Sequence, residues 1–307
     1  MDFNHISVLL EESVNALDIK PDGIYVDCTA GGGGHSAEVL KKLGENGRMV
    51  LFDRDPDAIE TVTNRFKDDK RVTIIHSNFS EIKKVLSEMN INGVDGIIAD
   101  LGVSSHQLDT AERGFSFHYD APLDMRMSQQ GTTAEEIVNS YSQKELFNVI
   151  NKYGEEKFAS SVANAIVRAR DKKRIETTLE LAEIVSNAIP AKFRRNGHPA
   201  RKTFQAIRIE VNAELTVLEN TLPDMFEALN KGGVLAIISF HSLEDRIVKD
   251  YFRTLKEGCT CPKDFPVCVC GKTPKALVKS SGVKATGKEV TENNRSRSAK
   301  LRTAKKL

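Results

Sequence analysis

Through the first hundred positions the apolar residues arrive in short runs. Those at 24–28, 48–52, 72–76 and 94–99 are almost wholly apolar, whereas 36–43, 56–66 and 80–89 carry apolar residues at helical spacing. A strand without polar alternation is expected where both faces are covered, and its regular exchange with helices implies a parallel sheet joined by crossover helices. The rhythm stops near Ser104. From there to Asn212 almost no β pattern remains, and 143–149, 156–170 and 178–188 have helical apolar spacing. The strand signal resumes at 234–239, after the loop Asn230-Lys231-Gly232-Gly233, and a helical pattern over 242–256 follows. The pattern predicts an α/β domain built from 1–103 and 213–307, interrupted by an all-helical insertion over 104–212.

With 307 residues, 40% hydrophobic and 28% charged, the chain can bury a sizeable core. Residues 1–16 break their apolar character with His5, Glu11, Glu12 and Asn15. They offer neither a secretory core nor a membrane span, so a cytoplasmic address is expected. Net charge is +1, yet from Gly271 onward 11 Lys and Arg face 2 Asp and Glu, leaving the first 270 residues at −8. The basic charge is concentrated in a tail, of low complexity from about 282. Such asymmetry suits a polyanionic partner, although a solvated end is the plainer alternative. A second basic stretch, 164–202, holds Arg168, Arg170, Lys172, Lys173, Arg174, Arg194, Arg195, Arg201 and Lys202. It would add grip on an RNA backbone, or be only a solvated face.

Candidate chemistry begins where the first strand leads into the first helix, at Val26-Asp27-Cys28-Thr29-Ala30-Gly31-Gly32-Gly33-Gly34-His35-Ser36. Successive glycines let a ligand approach backbone that any Cβ would obstruct. The second strand ends in Leu51-Phe52-Asp53, where a carboxylate can accept hydrogen bonds from a ribose diol. NAD and S-adenosylmethionine both satisfy that requirement. A dinucleotide prefers the spaced G-x-G-x-x-G, and this turn runs AGGGGHS, which favours S-adenosylmethionine and leaves a nicotinamide dehydrogenase as the alternative. Phe79 after the third strand and Asp100 after the fourth lie where a doubly wound sheet places ligands. Asp100 is the stronger candidate, because a carboxylate ending an apolar run is costly to bury without a partner.

Eight stretches in one order then point to a family. They are HISVLLEE (5–12), DCTAGGGGHS (27–36), DLGVSSHQLD (100–109), RGFSF (113–117), LDMRM (123–127), HPARKTFQAIRIEVNAEL (198–215), SFHSLEDRIVK (239–249) and RSRSAKLR (295–302). The chain resembles the RsmH (MraW) family of ribosomal small-subunit RNA cytosine-N4 methyltransferases over nearly its whole length. The resemblance implies a Rossmann-like class I S-adenosylmethionine methyltransferase core interrupted by a helical domain that takes the RNA. It implies S-adenosylmethionine as cofactor, held by Gly33, Gly34, His35, Asp53, Phe79, Asp100 and Gln107. It also implies a specific cytidine in the decoding region of 16S ribosomal RNA, in an assembled or assembling small subunit. The family's usual HPATRTFQ reads HPARKTFQ here, with Arg201-Lys202 in place of Thr-Arg.

Methylation at cytosine C5 requires a cysteine nucleophile, and the loop after Val103 contains none; Cys28 lies inside a strand-like run. Nitrogen methylation needs no covalent intermediate. It requires the amine to be presented in line with the methyl group, plus an acceptor for its proton. Asp100, or the backbone and hydroxyls of 101–105, is the expected acceptor. Phe115, Phe117 and Tyr119 with Arg113 and Arg126 are candidates to hold an unstacked base, or else core aromatics with solvated charges. Cys259, Cys261, Cys268 and Cys270 form CxC-x6-CxC. This is not the commoner CxxC zinc spacing, so ordinary reduced thiols and no metal are expected. An RNA-binding assembly factor without turnover and a small-molecule methyltransferase are the remaining alternatives.

Overall fold

The structure, a computed structural model, describes residues 7–194, 197–257, 261–262, 265–267, 269–279 and 281–307. Its strands are β1 (Ile24–Asp27), β2 (Arg48–Asp53), β3 (Val72–His76), β4 (Val94–Asp100), β5 (Leu229–Ser239), β6 (Ala276–Val278), β7 (Val283–Lys284) and β8 (Lys300–Lys306). They make one sheet of order β3-β2-β1-β4-β5-β8-β6, with β7 also paired to β8. β1 to β5 run parallel, and β8 is antiparallel to both β5 and β6. The order turns back between β1 and β4, the switch point at which doubly wound sheets hold ligands outside the carboxyl ends of their strands.

Successive residues of the inner strands feed opposite cores. Val26, Val50, Phe52, Ile97, Leu235 and Ile237 face one, while Tyr25, Met49, Leu51, Ile98, Ala236 and Ile238 face the other. Burial on both faces is why these strands read as unbroken apolar runs. Phe52 and Phe252 are fully buried in the first core, where truncation to alanine would cost about 3–5 kcal/mol.

The chain divides into two compact units, 1–102 with 215–307, and 103–214. The second is helical, with helices Ala134–Ser140, Gln143–Gly154, Ala159–Arg170, Thr178–Ala188 and Arg201–Asn212 around Leu146, Ile150, Val162, Ile166, Leu181, Val185 and Ile207. Ser104, Thr133, Ser142 and Thr177 each cap a helix reciprocally with Gln107, Glu136, Glu145 and Glu180, so the starts are written locally. No helix among the described residues is long and apolar enough to cross a membrane.

Two expectations are corrected. The 230–233 loop lies inside β5, where pairing with β4 steps from Val94–Leu229 to Gly96–Val234; the four residues are a bulge in the strand, not a connection. The basic end is not solvated throughout, since its last residues form β8 within the sheet. Arg302 donates to Asp245 at 2.6 and 3.1 Å, and Lys300 does so at 2.9 Å. Lys305 pairs with Asp18 at 3.1 Å, and the Lys306 ammonium caps the carbonyls of Glu227 and Leu229 at 2.9 and 2.6 Å. These four cations are spent within the fold.

Candidate active site

The site is assembled from the carboxyl ends of β1, β2 and β4. After β1 the backbone turns through Gly31 and Gly33, both at positive φ (50° and 74°), and Gly33 is the N-cap of helix Gly34–Lys42. Asp53, ending β2, holds this turn: one carboxylate oxygen accepts the Gly31 N–H at 2.8 Å and the other the Asp55 N–H at 2.9 Å. Burial pushes the Asp53 carboxyl up to about 6, against the pull of those two N–H donors.

Two of the glycines also have a packing role. A Cβ on Gly33 would stand 2.7 Å from the Phe66 ring, and one on Gly34 only 1.9 Å from the Ser7 hydroxyl. Their bareness lets the turn pack against its own domain. At Gly31 a Cβ would meet nothing nearer than the Thr29 carbonyl at 3.9 Å, an ordinary contact. His35 is likewise turned inward: its Nε2 donates to the Val8 carbonyl at 3.0 Å, and burial lowers its pKa to about 4. The neutral ring anchors the N-terminal segment.

Asp100 ends β4 beside this turn. Its N–H donates to the Thr29 hydroxyl at 2.7 Å, while its Oδ1 is buried with no hydrogen-bond partner among the described residues. An acceptor left bare inside a protein costs of order 1–3 kcal/mol, more when charged. Burial, reinforced by the Asp27 and Glu244 carboxylates, raises the Asp100 pKa well above the ordinary range.

Asp27 and Glu244 escaped the sequence reading. Asp27 ends β1, accepts the Ser36 hydroxyl at 2.6 Å and the Thr29 N–H at 3.1 Å, and burial raises its pKa to about 6. Its signal was the same as that of Asp100, a carboxylate closing an apolar run. Glu244 sits in the first turn of the helix Ser242–Glu257 that follows β5 and accepts the Phe240 N–H at 2.8 Å. Only the fold brings it to the same end of the sheet. The Asp27 and Glu244 carboxylates thus both act on the unpaired Asp100 carboxylate, an arrangement that favours a cationic ligand. Asp53 ends β2 and accepts the two backbone N–H groups of the turn.

The family model described as "MraW methylase family" matches residues 2–307. The chain belongs to the MraW methylase family. It is 54% identical to "Ribosomal RNA small subunit methyltransferase H" of Clostridium botulinum (strain Kyoto / Type A2), with all of both chains covered. It is also 54% identical to the protein of that name from Lachnospira eligens, covering all of this chain and 99% of the other. The protein is a methyltransferase that uses S-adenosylmethionine. That cofactor combines a ribose diol with a sulfonium and an ammonium cation, and the residues present fit it: a carboxylate at the end of β2, and an unpaired carboxylate at the switch point.

The other expected contacts of the methylase are placed as follows. Phe79 opens a short 3-10 turn after β3, half-buried against the first core. Gln107 lies in the helical unit, where its side chain accepts the Ser104 N–H at 3.0 Å. Cys28 is buried and its thiol is pushed well up by burial, the reverse of an activated nucleophile. Cys259 and Cys268 lie outside the described residues; Cys261 and Cys270 form no disulfide among those described.

Within the helical unit, Arg113 is buried and donates to the Arg126 and Met127 carbonyls at 3.1 and 3.0 Å. Arg126 is locked on Asp124 at 2.6 Å, and Phe115 is in the core. These three support the fold; Tyr119 is 58% exposed. Of the basic stretch, Arg170, Arg194 and Lys202 cap backbone carbonyls, and Lys173 and Arg174 pair with Glu180 and Glu135. Arg195 lies outside the described residues. Arg168, Lys172 and Arg201 are exposed and make no ion pair among the described residues.

Proposed function

We propose that the protein transfers the methyl group of S-adenosylmethionine to the N4 amine of one cytidine in the decoding region of 16S ribosomal RNA, in the context of the small subunit, in the cytoplasm. The observation that carries this reading is the full-length, 54% match to proteins named for small-subunit ribosomal RNA methylation. When bound, the cofactor supplies an electrophilic methyl group on a sulfonium. Asp53 accepts hydrogen bonds from its ribose, and the turn through Gly33, Gly34 and His35 shapes the floor beneath it. Phe79 and Gln107 complete its surroundings in this reading.

The cytosine amine is a weak nucleophile, because its lone pair is delocalised into the ring. Catalysis is therefore mainly alignment, together with acceptance of a proton. Asp100 takes the second role. The burial and neighbouring charge that raise its proton affinity make it a better base than an exposed carboxylate. The inert setting of Cys28 supports nitrogen over C5 as the target atom, since C5 attack needs a thiolate. The helical unit supplies the surface for RNA, and Arg168, Lys172 and Arg201 are its cations available for phosphate.

The test is methyl transfer from labelled S-adenosylmethionine to small subunits purified from cells lacking the protein, followed by nucleoside analysis of the digested RNA. Label in N4-methylcytidine is expected. Label at C5, or in another base, would overturn the choice of target atom, and label in no nucleoside would overturn the RNA reading.

A further inference from the structure

Two motifs far apart in the chain, RGFSF at 113–117 and HPARKTFQ at 198–205, meet in the helical unit. Phe117 stacks on the imidazole of His198 with ring centroids 4.3 Å apart and planes 16° from parallel. Phe204 meets the other end of this column edge-on, 5.3 Å from Phe117 at 84°, and Phe204 belongs to the core. The Ala200 N–H donates to His198 Nδ1 at 3.2 Å, which fixes the ring's rotation. Three rings therefore rise from a buried base to a residue that is itself exposed. In a chain with no Trp and 6% aromatics, His118 adds a fourth ring to the group, 4.8 Å from Phe117.

Holding an exposed ring in one orientation forfeits side-chain entropy and gains little burial. The arrangement makes sense when a flat partner completes the stack. Nucleobases are such partners, and RNA recognition commonly seats unstacked bases on His, Phe or Tyr rings. Charge agrees with an RNA occupant: Arg201, three residues beyond His198, is exposed and without an ion pair among the described residues.

We infer that the Phe117-backed imidazole of His198 is a stacking seat for an unpaired base of the substrate RNA. The inference rests on the RNA reading above. His198 acts by binding; it takes no part in methyl or proton transfer.

The test uses the full-length enzyme with small subunits as substrate, and follows KM for the subunit, kcat, and the Kd for S-adenosylmethionine. His198→Ala is expected to raise KM on the order of 10-fold, with the cofactor Kd and melting temperature unchanged, because one base stack is removed. His198→Phe restores a ring without the imidazole nitrogens, and should return KM to within about twofold of wild type. A KM for His198→Ala equal to wild type would overturn the seat. So would a His198→Phe enzyme as weak as the alanine variant, which would place the effect in a hydrogen bond. Failure of the RNA reading is distinct, because the wild-type enzyme itself would then transfer no methyl group to the subunit.

Discussion

At the scale of single residues, ligand binding is tied to protonation. Asp53 has a pKa near 6 in the free protein, and a carboxyl that has taken a proton accepts hydroxyl donors poorly. Affinity for S-adenosylmethionine is therefore expected to fall as pH drops below about 6, with proton release on binding near that pH, measurable by calorimetry in buffers of different ionisation enthalpy. Asp53→Asn sets an amide NH2 against one of the two N–H groups that Asp53 now accepts. It should weaken cofactor binding roughly 10- to 100-fold and abolish the pH dependence. Asp100 gives the opposite balance for the fold. Its folded pKa lies well above the unfolded value, so its contribution to stability is full below the usual carboxylate range and is lost as pH rises from there through the raised folded pKa. At neutral pH, Asp100→Asn should raise the melting temperature of the cofactor-free protein while lowering turnover severely, as expected where a strained group serves function. A melting temperature that falls in this variant would show that Asp100 is satisfied in the fold. Asp53 and Asp100 were legible in the sequence because a carboxylate closing an apolar run is conspicuous. Asp27 carried the same mark, but its partner Ser36 lies on the next helix, and Glu244 depends on a crossover some 140 residues after Asp100.

At the scale of elements, the parallel strands and capped helices could be read from period and punctuation. The glycine turn stood out for ligand approach, and its packing role, in which Gly33 and Gly34 make room for Phe66 and Ser7, was not legible. The largest departure is β8. In Lys300–Lys306, four cations surround Leu301 and Ala304, and only tertiary partners such as Asp245 allow so basic a segment to sit inside a sheet. Burial alone would raise the Asp245 pKa, but Arg302 and Lys300 hold it below the usual carboxylate range. Arg302→Ala should cost about 3 kcal/mol by leaving that carboxylate with Lys300 alone. Thermal unfolding should register this as a loss of several degrees, accentuated above pH ~4, where Asp245 is ionised. A neutral outcome would mean that the pair is solvated and that β8 is held by its backbone ladder.

At the scale of the molecule, the chain forms an α/β unit and a helical unit, and four of the eleven basic residues that composition placed at the chain end belong to the architecture. Lys300, Arg302, Lys305 and Lys306 are committed within the fold, so salt-dependent attraction to RNA should owe more to Arg168, Lys172 and Arg201. Replacing these three with Gln is expected to flatten the dependence of subunit binding on salt, by about one unit of slope in log Kd against log salt for each phosphate no longer neutralised. Equal slopes for the variant and wild type would place the phosphate-binding cations elsewhere. The most direct measurement maps the product. Small subunits from cells lacking the protein are methylated with purified enzyme, and nuclease fragments of their RNA are weighed by mass spectrometry. A single added methyl group on one cytidine of the decoding region is predicted; methylation scattered over many cytidines, or confined to a distant part of the RNA, would contradict it.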